Sequence, residues 1–477
     1  MTVEGMKVSG LKTQFNDSLF SADATTRAVA QRLYSRVKDA PILSPHGHTD
    51  PAWFARNEPF PNPAALLIQP DHYIFRMLYS QGVSLESLGV PQQDGRHHAD
   101  PREVWRIFAR HYYLFRGTPT RLWLDYTLAE TFGLTDRLCA ANADVYYDAI
   151  AKALTTPEFL PRALYERYRI AVLATTDAAT DTLQHHRAIR ASGWGGRVIP
   201  TFRPDAVIDA EHPAFASSLK LLGEQTKEDV ASYVGYLRAL RQRRAFFKEN
   251  GATATDHGPL SAQTADLSAA EIEPLFARIV SGKSTAADAE LFRAQMLTEM
   301  ASMSLEDGLT MQLHPGSYRD HNARVFDKFG KDKGADIPAP TEYVRALRPL
   351  LNKYGNESAF TLILFTLDET TYSRELAPLA GHYPCLRLGP SWWFHDSPEG
   401  MMRFREQTTE TAGFYNTVGF NDDTRAFLSI PARHDVARRV DSTFLARLVA
   451  EHRLDEEEAF ELIEDLTTNL VKKAYKL

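Results

Sequence analysis

Two histidines two positions apart, His46 and His48 in Ser44-Pro-His46-Gly-His48-Thr-Asp50, carry the strongest chemical signal in the chain. In extended backbone the side chains at i and i+2 leave the same side, so both imidazoles can reach one point. Two imidazole nitrogens on a rigid strand end suit Zn²⁺ or another divalent first-row ion. They leave that ion under-coordinated, so a carboxylate must come from elsewhere. Asp423, in Asn421-Asp422-Asp423-Thr424-Arg425, is the best-placed candidate because it follows the last strand-like segment. First and last strands become neighbours when a sheet closes on itself. Asp422 points the other way in extended backbone and reads as a solvated loop acid. The sixth strand-like segment ends in Thr366-Leu-Asp368 with no histidine, so one ion fits better than two.

The elements that must position these groups are short and regularly spaced. Strand-like segments occur at residues 41–44, 170–174, 197–202, 252–255, 309–313, 360–365, 385–388 and 414–420, most ending in a polar cluster. Helical patterns lie between most of them. Thr226-Lys-Glu-Asp229 reads as the cap of a helix that stops at Asn250-Gly251, and Ser268-Ala-Ala-Glu271 as a capping box. The last helix opens on Asp455-Glu-Glu-Glu458 and closes on Lys472-Lys473, as the helix dipole favours. Eight strand–helix alternations with polar strand C-termini predict an α/β fold, a (β/α)8 TIM-type barrel. An open doubly wound sheet would show a glycine-rich phosphate loop after its first strand, and none occurs there. One irregularity stands out: residues 51–168 separate the first two strands. They carry Trp105, Phe108, Tyr112, Phe115 and Trp123 at roughly helical intervals and read as a large helical insertion over the catalytic mouth. Those aromatics are read as the insertion's own small core. The chain thus divides into an N-terminal helix and first strand (1–50), the insertion (51–168), and the rest of the barrel with a C-terminal helix (169–477).

Composition bounds the function. The 477 residues are 44% hydrophobic and 24% charged, the profile of a globular chain. Lys and Arg total 54 against 61 acidic residues, a net charge of −7, which argues against a dedicated nucleic-acid binder. Two isolated cysteines exclude a zinc knuckle or a disulfide scaffold. No apolar run reaches the ~18 residues of a membrane span. The polar N-terminal stretch shows no secretory pattern. The expectation is a cytoplasmic protein acting on a small molecule, without nucleic acid or membrane, with homo-oligomerisation plausible for a barrel of this size.

The ordered set of motifs is similar to the uronate isomerases, an outlying family of the amidohydrolase superfamily of metal-dependent barrels. The motifs are His46-Gly-His48-Thr-Asp50, Asp71-His72-Tyr73, Thr175-Thr-Asp177, Arg203-Pro-Asp205, Asp256-His257-Gly258, Gln312-Leu-His314, Ser391-Trp-Trp-Phe394 and Asp423-Thr-Arg425. The resemblance spans nearly the whole chain, to Asn469. It implies conversion of aldohexuronates to ketohexuronates: D-glucuronate to D-fructuronate, and D-galacturonate to D-tagaturonate. It implies His46, His48 and Asp423 around one divalent metal, Zn²⁺ first and Mn²⁺ second. His72 and Tyr73 would then act near the reacting carbons, with Arg203, Asp256, His314 and Arg425 holding the substrate.

These residue types suit that chemistry. An aldose–ketose shift needs a base to move a proton between C2 and C1 through an enediol, and a donor serving O1 and O2. Tyr73 and Asp423 both remain open as the base. Arginine matches a carboxylate in bidentate fashion. The metal would chelate the uronate carboxylate and a neighbouring hydroxyl. Two departures appear. No histidine follows strand six, against a second metal, and Thr424 stands where the family signature suggests serine. The alternatives are a metal-dependent hydrolase or decarboxylase of the same superfamily, and a sugar-acid binding protein with a degenerate site; the intact motifs argue against the second.

Other residues are set aside. His97-His98 and His185-His186 read as surface pairs, His395 as a structural loop residue, and Asp50 as a hydrogen-bonding support rather than a ligand. Trp392 and Trp393 point opposite ways in extended backbone, so one should face the pocket and the other the barrel–helix layer. Cys385 reads as a small buried hydrophobe.

Overall fold

Short buried apolar runs become strands. The computed structural model describes residues 17–97 and 99–477, so the first sixteen residues of the polar N-terminal stretch, and His98, lie outside the described residues. The strands are β1 (Ile42–Ser44), β2 (Ile170–Ala174), β3 (Asp177–Ala178), β4 (Val198–Ile199), β5 (Phe202–Arg203), β6 (Ala254–His257), β7 (Thr310–Leu313), β8 (Ser317–Tyr318), β9 (Ile337–Pro338), β10 (Leu362–Leu364) and β11 (Leu386–Leu388). One parallel sheet runs β1-β2-β4 and another β11-β10-β7-β6-β5-β3. The two are joined: Thr175 N–H donates to Ile199 O at 2.9 Å and Asp177 N–H to Thr201 O at 3.0 Å, so β2 runs on into β3 beside β4 and β5. Parallel strands therefore follow one another in chain order with helices between them, a mixed α/β architecture. β8 and β9 form a separate antiparallel ribbon on an excursion after β7.

The segment at 414–420 does not become a strand. Among the described residues its only ladder contact is a bridge between Leu388 and Thr417. Gly413 and Gly419 sit in left-handed conformations (φ 69° and 76°) at its two ends and turn the chain before a ladder can lengthen. The helix placed after Thr226 is also displaced. Thr226 ends the helix Phe215–Thr226, its hydroxyl donating back to Leu222 O, and Ser232 caps the helix Tyr233–Glu249 by accepting from Gly235 N–H. The Ser268 capping box forms as read. The last helix starts on its Asp455–Glu458 box and continues through a π-turn (Asp465–Asn469) into Leu470–Tyr475.

Among the described residues every element between β1 and β2 is helical. Its aromatics do not make a private core. Trp105, Phe108, Tyr112 and Phe115 share one buried cluster with Ile42, Ile170, Leu173 and Val198, while Trp123 packs elsewhere with Met401 and Val436. The first strands need cover for their apolar face, and the helices between β1 and β2 supply it. On the other face Leu43, Val172, Ile199, Ala254, Ile363 and Phe365 meet Val471 and Tyr475 of the C-terminal helix. Tyr475 donates to Gln312 Oε1 at 3.1 Å, and Thr310 to Ala474 O at 2.7 Å. That helix closes one end of the strands and leaves the polar end open. No helix of the described residues is long and apolar enough to cross a membrane.

Candidate active site

The floor of the site is built where β1 runs out. His46 Nε2 and His48 Nε2 lie 3.2 and 3.1 Å from the same oxygen, Asp423 Oδ1. The link across to Asp423 is backbone: His48 N–H donates to Thr424 O at 3.0 Å. Asp423 takes a left-handed φ of 36°, uncommon for a residue with a Cβ and a mark of a position held by its surroundings. His46 is buried, yet its Nδ1 has no hydrogen-bond partner, and neither does Asp423 Oδ1. One ligand atom from each of His46, His48 and Asp423 lies within 4.8 Å of the others, an arrangement that could hold a metal ion. Burial lowers the pKa of His48, leaving it neutral as a ligand must be. Burial also opposes charge on His46, but Asp256 and Asp423 outweigh it and raise its pKa. Asp423 is held well below the usual carboxylate range, since His46 and His48 overcome the cost of burying it. Two imidazoles and a charged carboxylate form a set that draws a cation, and the donor types fit a divalent one.

A second tier lies behind His46. Asp256 is fully buried on β6 and meets three cationic or imidazole groups: His314 Nε2 at 2.8 Å, Arg203 at 3.2 Å and His46 Nδ1 at 3.8 Å. Those groups override burial and keep its pKa far below the ordinary value. Arg203 also pairs with Asp205 at 2.8 Å. Gly258 permits this crowding, because a Cβ there would fall 2.6 Å from both the Arg203 guanidinium and His314 Cε1.

The roof comes from the helices between β1 and β2. Asp71 caps the helix His72–Ser80 by accepting from Tyr73 N–H at 2.8 Å, which fixes His72 and Tyr73 in the first turn. Their rings stack at 4.6 Å, and the Tyr73 hydroxyl donates to Trp393 O at 3.0 Å. Burial, with help from Arg425, pushes the His72 pKa down to about 3, so its ring stays neutral. Burial raises the Tyr73 pKa far above its ordinary value against the pull of Arg433. Arg433 lies buried with its guanidinium 3.5 Å from the Trp123 ring and pairs with Asp396.

Floor, second tier and roof open into one cavity of about 940 Å³. Of the residues singled out from sequence, His48, His72, Tyr73, Arg203, His314, Asp423 and Arg425 line it, while His46 and Asp256 stand directly behind. Arg425, 40% exposed, pairs with Asp332 at 3.1 Å. Asp50 caps the helix Pro51–Arg56 through Ala52 N–H and is no ligand. His395 reaches Leu367 O at 3.0 Å, a loop tie, and Cys385 is buried.

Three readings change. Asp422 is not solvated: it is buried and paired with His434 at 2.9 Å. His186 is not on the surface: it is buried against the Thr175 hydroxyl at 2.8 Å, whereas His97 is exposed. Trp392 and Trp393 do not divide between pocket and outer layer. Both border the cavity, Trp392 5.1 Å from the His314 ring and Trp393 5.9 Å from the His72 ring. A left-handed φ of 51° at Trp393 breaks the extended alternation on which that reading rests. Asp332, Arg433 and Asp396 were not singled out from sequence. Arg433 stands on the helix Ile430–Ala450 with Arg438 and Arg439, which are buried as well, and Arg447, which is not.

Known proteins resemble this chain along most of its length. A family model described as glucuronate isomerase matches residues 13–475. A uronate isomerase of Phenylobacterium zucineum is 64% identical over 461 residues, 97% of this chain and 96% of that one. The crystal structure of glucuronate isomerase from Caulobacter crescentus superposes with a TM-score of 0.95 at 63% identity and covers 96% of both chains. That of a uronate isomerase from Thermotoga maritima superposes at 0.90 with 27% identity, over 99% of this chain and 100% of that one.

Proposed function

Since the chain belongs to the uronate isomerase family, we propose that it interconverts D-glucuronate with D-fructuronate and D-galacturonate with D-tagaturonate at the cavity above β1. The observation that carries the reading is the shared oxygen: Asp423 Oδ1 stands 3.2 and 3.1 Å from two imidazoles, and Asp423 lines the same cavity as Arg203 and Arg425. His46, His48 and Asp423 would hold one divalent ion, Zn²⁺ or Mn²⁺. When bound, that ion would supply Lewis-acid polarisation of a substrate oxygen.

The remaining work falls to the chain itself. Arg425, the more exposed arginine with one ion-pair partner among the described residues, is the anchor for the substrate carboxylate. Arg203 already carries two protein carboxylates, so it and His314 orient hydroxyls instead. Asp423 is the ionised group at the floor and takes the C2 proton. Tyr73, kept protonated by burial, delivers a proton to O1 and gives the enediol. The O2–H proton then passes to the Tyr73 phenolate as Asp423 returns its proton to C1, which completes the ketose and restores both groups. His72, neutral and stacked on Tyr73, holds the phenol over the reacting carbons.

The same reading extends to the frame. The consecutive parallel strands and the His48–Thr424 hydrogen bond support a (β/α)8 barrel closing beside Asp423, with 51–168 inserted into it. Two unpaired cysteines support work in a reducing cytoplasm. The test is an isomerisation assay on both uronates with Zn²⁺ or Mn²⁺ supplied, alongside metal analysis of the purified protein. Ketose product and about one ion per chain are expected; no product from either uronate overturns the proposal.

A further inference from the structure

The cavity mouth holds a carboxylate that the reaction above does not use. Asp332 lies on the excursion that leaves β7 and returns through β9, and its Oδ2 is 3.1 Å from an Arg425 nitrogen. Among the described residues this is the one ion pair Arg425 makes. The segment is fastened at several points. Gln93 N–H donates to Lys328 O at 2.9 Å, Lys328 pairs with Glu86, and Gly334 sits so close to the His72 helix that a Cβ would fall 2.8 Å from His72 O. Asp332 is therefore delivered to Arg425 by a docked loop. Burial works against its charge, but Arg425, Arg319 and Lys331 outweigh burial and hold its pKa at about 2.

We propose that Asp332 is a resident stand-in for the substrate carboxylate. It neutralises Arg425 in the free enzyme and gives the guanidinium up to a uronate, which makes it a specificity-determining residue. The exchange is of like for like, carboxylate for carboxylate. Once displaced, Asp332 still faces Arg319 and Lys331, whose charges already act on it, so it is not stranded. A neutral sugar offers nothing to exchange and meets a closed pair, so rejection is built in as well as attraction. The inference rests on Arg425 being the carboxylate anchor.

The test uses the metal-replete full chain. Asp332→Asn suits the site, because Asp332 has a left-handed φ of 64° and asparagine is among the residues that tolerate that conformation. The KM for D-glucuronate and the Kd for D-glucarate, which has a carboxylate at each end and no aldehyde, should each fall about fivefold, or ~1 kcal/mol at 1.4 kcal/mol per tenfold. Binding of the neutral polyol D-glucitol should not tighten. Arg425→Met should raise the KM about a hundredfold, and adding Asp332→Asn to it should bring no further gain. If Arg425→Met weakens binding while Asp332→Asn leaves it unchanged or weaker, or tightens D-glucitol equally, the exchange is overturned and the anchor stands. If Arg425→Met leaves the KM alone, the anchor falls and the exchange with it.

Discussion

The floor and the roof of the site are built by opposite means. On the floor, His46, His48 and Asp423 project from backbone tied by the β1–β2 ladder and the His48–Thr424 hydrogen bond, and little there can move without breaking buried structure. The roof is brought in from far along the chain: Tyr73 is fixed by Trp393 and flanked by Arg433, and the Asp332 loop rests on the His72 helix. A rigid floor fixes the reacting atoms. A roof assembled from side chains and loops can admit substrate and decide which one stays. The difference predicts that floor substitutions act on the chemical step and roof substitutions mainly on positioning and binding.

The largest effect should follow Asp423→Asn. The amide keeps the shape but loses the charge that the two imidazoles sustain against burial. We expect kcat to fall by about a thousandfold, within the usual range for removing a general base. Bound metal should fall too, while the thermal midpoint changes little. Steady-state kinetics, metal analysis and a thermal melt together test this. Full activity in the variant would remove Asp423 from the chemistry and the floor from its assigned role.

The floor was legible in the sequence for the same reason that it is rigid. An extended strand turns i and i+2 to one side, so His46 and His48 announce themselves, and strand closure points to Asp423. The second tier, with Arg203, Asp256 and His314, came through the resemblance and lies on or next to strand ends. The roof was legible only in part. His72 and Tyr73 stand in a recognisable motif, but Asp332 and Arg433 act through partners far away in sequence, and no local pattern distinguishes them from solvated charges. Asp422 and His186 also read as exposed in polar stretches, yet each is buried and paired with a group on the neighbouring element, His434 twelve residues away and Thr175 eleven. The eighth strand failed locally, because flanking glycines with positive φ end the ladder after one bridge.

Arg433→Met should come second. The guanidinium packs against the Trp123 and Tyr73 rings, neutralises Asp396 and donates to Asp422 O at 3.4 Å, so its loss loosens Tyr73 and costs the floor one long hydrogen bond. A drop in kcat of about thirtyfold, less than the loss of an acid or base itself, is expected, with partial rescue by Arg433→Lys. A pH signature should accompany it. Burial holds the Asp396 pKa up at about 7, with Arg433 pulling it down. The folded state therefore binds more protons than the unfolded state between the ordinary carboxylate range and about 7, so stability falls as pH rises through that window. Without Arg433 the Asp396 pKa rises further, and the decline should deepen and extend to higher pH. Thermal melts at pH 6 and pH 8.5 read this directly; equal pH slopes in variant and wild type would show that Asp396 does not depend on Arg433.

Gly334→Ala should have the smallest effect and give the sharpest test of the division. Gly334 has φ 79°, and its missing Cβ would meet His72 O at 2.8 Å and Arg76 Cβ at 2.9 Å. A backbone oxygen at the start of a capped helix cannot move aside cheaply, so the loop carrying Asp332 must lift. A positive φ also costs alanine about 1 kcal/mol relative to glycine. The KM for D-glucuronate should shift by about threefold, as half a power of ten corresponds to ~0.7 kcal/mol. Bound metal should stay at the wild-type level, because among the described residues no hydrogen bond or ion pair of His46, His48 or Asp423 runs through that loop. If the variant instead loses metal in step with its change in KM, the roof must be holding the floor together. The two would then be one cooperative unit, and the contrast drawn between them would fail.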